Sequence, residues 1–113
     1  MRPDIPKLLE DIRDSCEFIL SSAASLSLAE FNENRTIRQA VERNFEIIGE
    51  ALNRIKRSDP AVIGAFGDIS RIIAFRNILA HGYDVVDNEV VWLVVKNNVP
   101  RILEKARQLL DRA

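Results

Sequence analysis

The spacing of apolar residues constrains this chain most, because it keeps to a helical period through nearly the whole length and leaves no two segments that could pair as strands. Ile5, Leu8, Leu9, Ile12, Cys16, Ile19 and Ala23 recur at i, i+3 and i+4, which predicts a helix from about residue 5 to residue 23 with one apolar face. Asp4 stands at its N-cap position. "SLAE", Ser27 to Glu30, has the spacing of a capping box and predicts a short helical turn. In "NRTIRQAVERNFEIIGEALNRIKR", Ile37, Val41, Ile48, Leu52 and Ile55 share one side, filled out by Ala40, Phe45 and Ala51. A long second helix over about residues 33–57 follows.

"SDP", Ser58 to Pro60, ends that helix, since proline restricts the residue before it and suits the first position of a new one. A helical turn through "AVIGAF" comes next. Asp68 can cap a third helix from Ile69 to about His81, with Gly82 as a left-handed C-terminal residue. Asp87 caps a last long helix that contains Pro100, so a kink is expected near residues 96–99. "VVWLVV", residues 90–95, has the composition of a buried strand, but a lone strand cannot satisfy its backbone and no second one exists, which favours helix. The expected fold is all-α: an antiparallel four-helix bundle with an extra short helical turn and a kinked last helix, forming a single domain over residues 1–113.

Composition narrows the function. At 47% hydrophobic and 29% charged the chain fits an ordinary folded protein, and no apolar run nears the ~20 residues needed to cross a bilayer. The N-terminal "MRPDIPKLLEDIRDSCEF" carries prolines and acids where a secretory signal has an apolar block. Cys16 is the only cysteine, so no intrachain disulfide can form. These features predict a cytoplasmic protein without a membrane partner. Sixteen basic residues against 17 acidic leave a net charge of −1, which disfavours a broad nucleic-acid face and requires any such contact to use a local patch or pocket.

One arginine stands where it does not belong. Within "FRNILAHGYD", and at ~100° per residue from Arg76, the residues Ile69, Ile72, Ile73, Leu79 and Ala80 all lie within about 60° of it. The opposite side carries Ala74 and Ile78, so this helix is expected to be covered both by its own bundle and by a second subunit. Ser70, Asn77 and His81 cluster about 100° to 140° from Arg76 on the same arithmetic. Arg76 and His81, at i and i+5, therefore meet only through a bending arginine, an unwinding helix end or a second copy of the chain. A buried guanidinium needs a partner, and the preceding long helix offers Glu42, Glu46 and Glu50 at i, i+4, i+8 beside Gly49, whose missing side chain permits close approach. Arg76 as an interior ion pair with Glu46 or Glu50 is one reading. The glutamates themselves fit a solvated face or salt bridges with Arg43 and Arg54.

A single histidine cannot build a two-histidine acid/base pair within one chain, and one cysteine without a histidine cluster cannot build an ordinary zinc site, so neither metal nor cofactor is expected. Cys16 falls on the apolar stripe of the first helix and reads as core. Arg76 and His81 suit phosphodiester chemistry without a metal. The guanidinium fork fits phosphate, and an imidazole titrating near neutrality can take the proton of a ribose 2′-hydroxyl or give one to the leaving oxygen. That route needs RNA. His81 equally suits a helix C-terminus, where the dipole favours it.

"RNILAHGY", Arg76 to Tyr83, resembles the R-x4-H-x-Y signature of HepT-like toxins in the HEPN superfamily. "AVERNFEIIGEALNRI" is similar to a second block of that family, and the likeness extends over nearly the whole chain. The family's tryptophan before the third helix has Phe66 roughly in its place, a packing variation. The resemblance implies a helical bundle that forms a homodimer or a higher homo-oligomer, and a metal-independent endoribonuclease with a composite site at the dimer cleft. It implies Arg76 and His81 as the catalytic pair and Asn77 as a supporting residue. It further implies the toxin of a type VII-like HEPN/MNT toxin–antitoxin system, neutralised when an MNT nucleotidyltransferase antitoxin transfers AMP from ATP to Tyr83. A noncatalytic HEPN-type interaction module, with the Arg/His motif stabilising a dimer, is the alternative.

Overall fold

The computed structural model describes residues 2–81 and 86–112, with the backbone alone for Arg71, Ala80 and His81. Helix α1 runs Ile5–Ala23, α2 Leu28–Glu33, α3 Arg35–Ser58, α4 Pro60–Ile63, α5 Ser70–His81, α6 Asn88–Asn97 and α7 Val99–Asp111, with a 3-10 turn at Gly64–Phe66. The described residues contain helices and connections and no strand.

The apolar stripe of α1 is buried along its length, from Ile5 through Cys16 to Ala23. It packs on α3 on one side and on α7 on the other, and α5 lies on α3. Val41, Phe45, Ile48, Leu52 and Ile55 of α3 complete the core between them. The short α2 docks through Phe31, which is fully buried and contributes about 1.5–3 kcal/mol by leaving water. Phe66 is also in the core.

Local sequence explains most helix ends. The hydroxyl of Ser27 accepts from the Glu30 backbone N–H while the Glu30 carboxylate accepts from the Ser27 N–H, closing the capping box. Asn34 and Asp87 accept from Ile37 and Glu89 at the starts of α3 and α6. Asp68 accepts from both the backbone N–H (3.0 Å) and the hydroxyl (2.7 Å) of Ser70 as α5 begins. Asp4 holds the N-cap position as expected, but its backbone is already helical and its side chain makes no cap bond. Pro6 occupies the second helical position and has no N–H to offer it. Gly82, expected to end α5 in a left-handed conformation, lies outside the described residues.

The last helix is interrupted at Asn98, within the stretch where the kink was expected, while the Asn98 backbone stays in the helical region. At Asn98, α6 ends and α7 begins, with Pro100 in the first turn of α7. Helical bonds continue on either side, from the Asn98 N–H to the Val94 carbonyl (2.9 Å) and from Ile102 to Asn98 (3.1 Å). "VVWLVV" is helical. Val91 and Val95 face the core, while Val90 and Leu93 stay exposed. Trp92 donates its indole N–H to the Leu26 carbonyl at 2.9 Å. Lys96 reaches the Ala24 carbonyl and lies 5.4 Å from the Trp92 ring. These contacts tie α6 to the turn between α1 and α2.

Candidate active site

The site is built where α5 crosses α3. Ile72 and Leu79 of α5 are buried, and Phe75 meets Phe45 of α3 edge to face, with ring centroids 5.3 Å apart. Gly49 makes the crossing this close: a Cβ placed on it would stand 2.4 Å from the Arg76 Cβ and 2.6 Å from its Cγ. The arginine stem thus lies directly on α3 backbone, as the missing side chain suggested.

From that position the guanidinium reaches two partners. One terminal nitrogen lies 3.2 Å from the Glu50 carboxylate, and the other donates to the Asn77 side-chain carbonyl at 3.1 Å. Nε is buried without a hydrogen-bond partner among the described residues. Neighbouring helical residues do not face each other, so the bond to Asn77 requires the arginine to bend about the helix toward the strip on which helical arithmetic also places His81. The side chain retains 27% of its accessible surface. It is anchored and still reachable from solvent.

Arg76 and Glu50 line a cleft of about 230 Å³ together with Arg43, Glu46, Arg54 and Asp11. Glu46, the other candidate partner of Arg76, pairs instead with Arg43 one turn away at 3.5 Å. Arg57, rather than Arg54, is the second cation on Glu50, at 3.9 Å. Glu42 lies on the same helix, and its carboxyl is held above the usual carboxylate range, first by burial and then by Glu46, against the lowering effect of Arg38. Among the described residues no three His, Cys, Asp or Glu side chains converge as metal ligands, and no helix is long and apolar enough to cross a membrane. Cys16, whose thiol burial pushes up to about 12, sits in the core away from this cleft.

Of the residues singled out from sequence, the structure brings Arg76, Asn77 and Glu50 into contact. His81 is the last residue of α5; its side chain, and Tyr83 entirely, lie outside what is described. Sequence reasoning overlooked Arg57 as a partner of Glu50. The i, i+7 spacing was there to read, since it also returns to the same helix face.

On the far side of α5, Ile72, Phe75 and Ile78 form with Val90, Leu93 and Val94 of α6 a largely apolar groove of about 490 Å³. Ile78, Val90 and Leu93 are each more than 40% exposed. The bundle is therefore open along this seam, on the helix that carries Arg76.

The sequence of this all-helical bundle matches a known class. The family model described as "Ribonuclease HepT-like" covers residues 12–109, and the chain belongs to that HepT-like ribonuclease family of the HEPN superfamily. It is 34% identical over 103 residues to a Methanocaldococcus jannaschii protein named "Putative RNase MJ1380", covering 88% of this chain and 90% of that one. It is 32% identical over 105 residues to the "Probable ribonuclease HepT" of Thermococcus cleftensis, covering 89% and 91%. No solved structure gives a significant match.

Proposed function

We propose that this chain acts as a single-domain, metal-independent endoribonuclease of the cytoplasm, the toxin of a HEPN/MNT toxin–antitoxin pair. The observation that carries the proposal is the Arg76 guanidinium, fixed by Glu50 and Asn77 yet open to solvent, on the helix that ends at His81. Arg76 binds the scissile phosphate and stabilises the charge that builds on its oxygens. His81 takes the proton from the ribose 2′-hydroxyl as that oxygen bonds to phosphorus, and the P–O bond to the 5′-oxygen breaks as that oxygen is protonated. The products are a 2′,3′-cyclic phosphate and a 5′-hydroxyl. One histidine can hold only one of the two proton-transfer roles at a time. A homodimer supplies both from two copies of His81, and the open apolar seam on the other side of α5 supports such a pairing.

Neutralisation is assigned to Tyr83: its hydroxyl attacks the α-phosphorus of ATP within an MNT-type antitoxin, pyrophosphate leaves, and AMP remains on the phenolic oxygen. The added charge and bulk, two residues along the chain from His81, then bar RNA.

Cleavage of tRNA and mRNA in the presence of a chelator tests the enzyme reading, with wild type set against Arg76→Ala and His81→Ala. Wild type is expected to cut RNA and spare DNA, and both variants to be inactive while folding and dimerising alike. A noncatalytic interaction module is favoured by the low net charge and by the carboxylate already on Arg76. An inactive wild type with all three proteins equally dimeric would establish that alternative. For Tyr83, mass spectrometry after incubation with ATP and the nucleotidyltransferase is expected to find AMP on wild type and none on Tyr83→Phe.

A further inference from the structure

The cleft that holds Arg76 contains more than one arginine, and they are not equivalent. Its carboxylates are engaged: Asp11 with Lys7, Glu46 with Arg43, and Glu50 with both Arg76 and Arg57. Arg54 lines the same cleft, is exposed, and has no carboxylate partner among the described residues. This is not for want of a neighbour. Glu50 and Arg54 stand at i, i+4, the spacing that ordinarily pairs opposite charges on a helix, and Arg76 and Arg57 have taken the Glu50 oxygens. The cleft lining itself balances Arg43, Arg54 and Arg76 against Asp11, Glu46 and Glu50, but Lys7 and Arg57, from outside the lining, also draw on Asp11 and Glu50, which leaves Arg54 as the lining cation without a carboxylate among the described residues.

We infer that Arg54 is a second RNA-binding residue, holding a backbone phosphate next to the one at Arg76, one helical turn or about 6 Å further along α3. This rests on the ribonuclease reading of the site. The chemistry favours phosphate over base recognition. An unpaired guanidinium keeps its full charge and its bidentate fork for a phosphate. The cleft, at about 230 Å³, falls below the ~300–1,000 Å³ of pockets that enclose a whole small molecule. Arg76, sharing Glu50, serves the scissile phosphate, and Arg54 holds the strand in register. The low overall charge gives RNA little long-range attraction, so the local contact carries a large share of the binding.

Salt-dependent binding separates this role from a structural one. A fluorescent single-stranded 2′-O-methyl oligouridylate, which lacks the 2′-hydroxyl needed for cleavage, is titrated with wild type, Arg54→Ala and Arg54→Lys at several salt concentrations. Arg54→Ala is expected to bind more weakly, and the slope of log affinity against log salt to flatten by about 0.7 for each phosphate contact removed. Arg54→Lys should keep the wild-type slope. On cleavable RNA, Arg54→Ala should raise KM and retain kcat, whereas Arg76→Ala should abolish turnover. Unchanged affinity and slope in Arg54→Ala, with an active wild type, would overturn the inference and leave the ribonuclease reading standing. A wild type that neither binds the probe nor cuts RNA would remove both.

Discussion

Gly49→Ala is the sharpest perturbation of the α3/α5 crossing, because the helical backbone accepts alanine and only the neighbour objects. The new Cβ would meet the Arg76 Cβ at 2.4 Å and its Cγ at 2.6 Å, whereas carbon atoms rest at about 3.5–4.0 Å. Swinging the arginine aside relieves the Cγ contact only, since the Cβ is fixed to the α5 backbone, so α5 must move by roughly 1 Å. Overpacking of this kind costs about 1–3 kcal/mol, and alanine's better helix propensity returns about 1 kcal/mol. The net loss is therefore about 0–2 kcal/mol, a fall in Tm of up to roughly 10 °C for a domain of this size. Activity should suffer far more, because a displacement of about 1 Å at a phosphate-binding group can cost ~100-fold in rate. Thermal melts and RNA cleavage rates measure the two effects. Changing the background reverses the sign. In Arg76→Gly protein, which lacks both clashing carbons, Gly49→Ala should stabilise by up to ~1 kcal/mol. A Gly49→Ala protein that melts above wild type with Arg76 in place, and cuts RNA at the wild-type rate, would refute the close contact and the reasoning built on it.

Three further outcomes follow from other parts of the molecule. Glu50→Gln removes the charged anchor of a half-exposed pair, so stability should change by less than about 1 kcal/mol. Its kcat should fall roughly tenfold or more as Arg76 loses its position, with KM no worse because the cleft has lost a carboxylate; steady-state kinetics and a melt check both. Cys16 should resist thiol reagents until the protein unfolds, since burial pushes its thiol from 9.0 up to about 12. Its proton is bound more tightly in the folded state, so this contribution to stability holds below pH 9 and declines as pH rises from about 9 toward 12, a slope that Cys16→Ala should reduce in alkaline melts. Ile78→Lys and Leu93→Lys alter residues that are 44% and 41% exposed, so the monomer fold should survive within about 0.5 kcal/mol. Both should lower the mass measured by light scattering to that of a monomer and abolish cleavage, if a second copy covers this seam.

The helices were readable because their evidence is local. Ser27 and Glu30 satisfy each other within one turn, Pro60 sits where a helix can begin, Pro100 marks the interruption of the last helix, and the stripe from Ile5 to Ala23 repeats often enough to exclude a strand. Asp4 occupies the N-cap position read from the sequence, but the identity of a cap residue does not say that its side chain will bond, and here its backbone is already helical and Pro6 removes one of the two N–H groups it could accept from. At the site, the placement of Arg76 on an apolar face implied an internal partner, and Gly49 implied a close crossing. Which glutamate would serve was not decidable from spacing, since Glu46 and Glu50 are one turn apart on the same face. The choice depends on how α5 lies across α3 and on Arg43, which takes Glu46. Arg54 illustrates the same limit: i, i+4 spacing pairs it with Glu50 until Arg57 of the same helix and Arg76 of α5 take the two Glu50 oxygens. Periodicity within α3 can report Arg57 but not Arg76.

Trp92 is the chain's one tryptophan, and its indole is bonded to the turn between α1 and α2, with Lys96 beside the ring. Intrinsic fluorescence therefore reports the docking of α6 on that turn, a contact in which neither α3 nor α5 takes part. Circular dichroism reports every helix. Where the two melting curves coincide, the bundle opens as one unit; where dichroism changes first, α5 is leaving α3 while the tryptophan still reads native. A residue with no part in the chemistry thus gives an optical means of telling loss of the arginine's seat from loss of the fold.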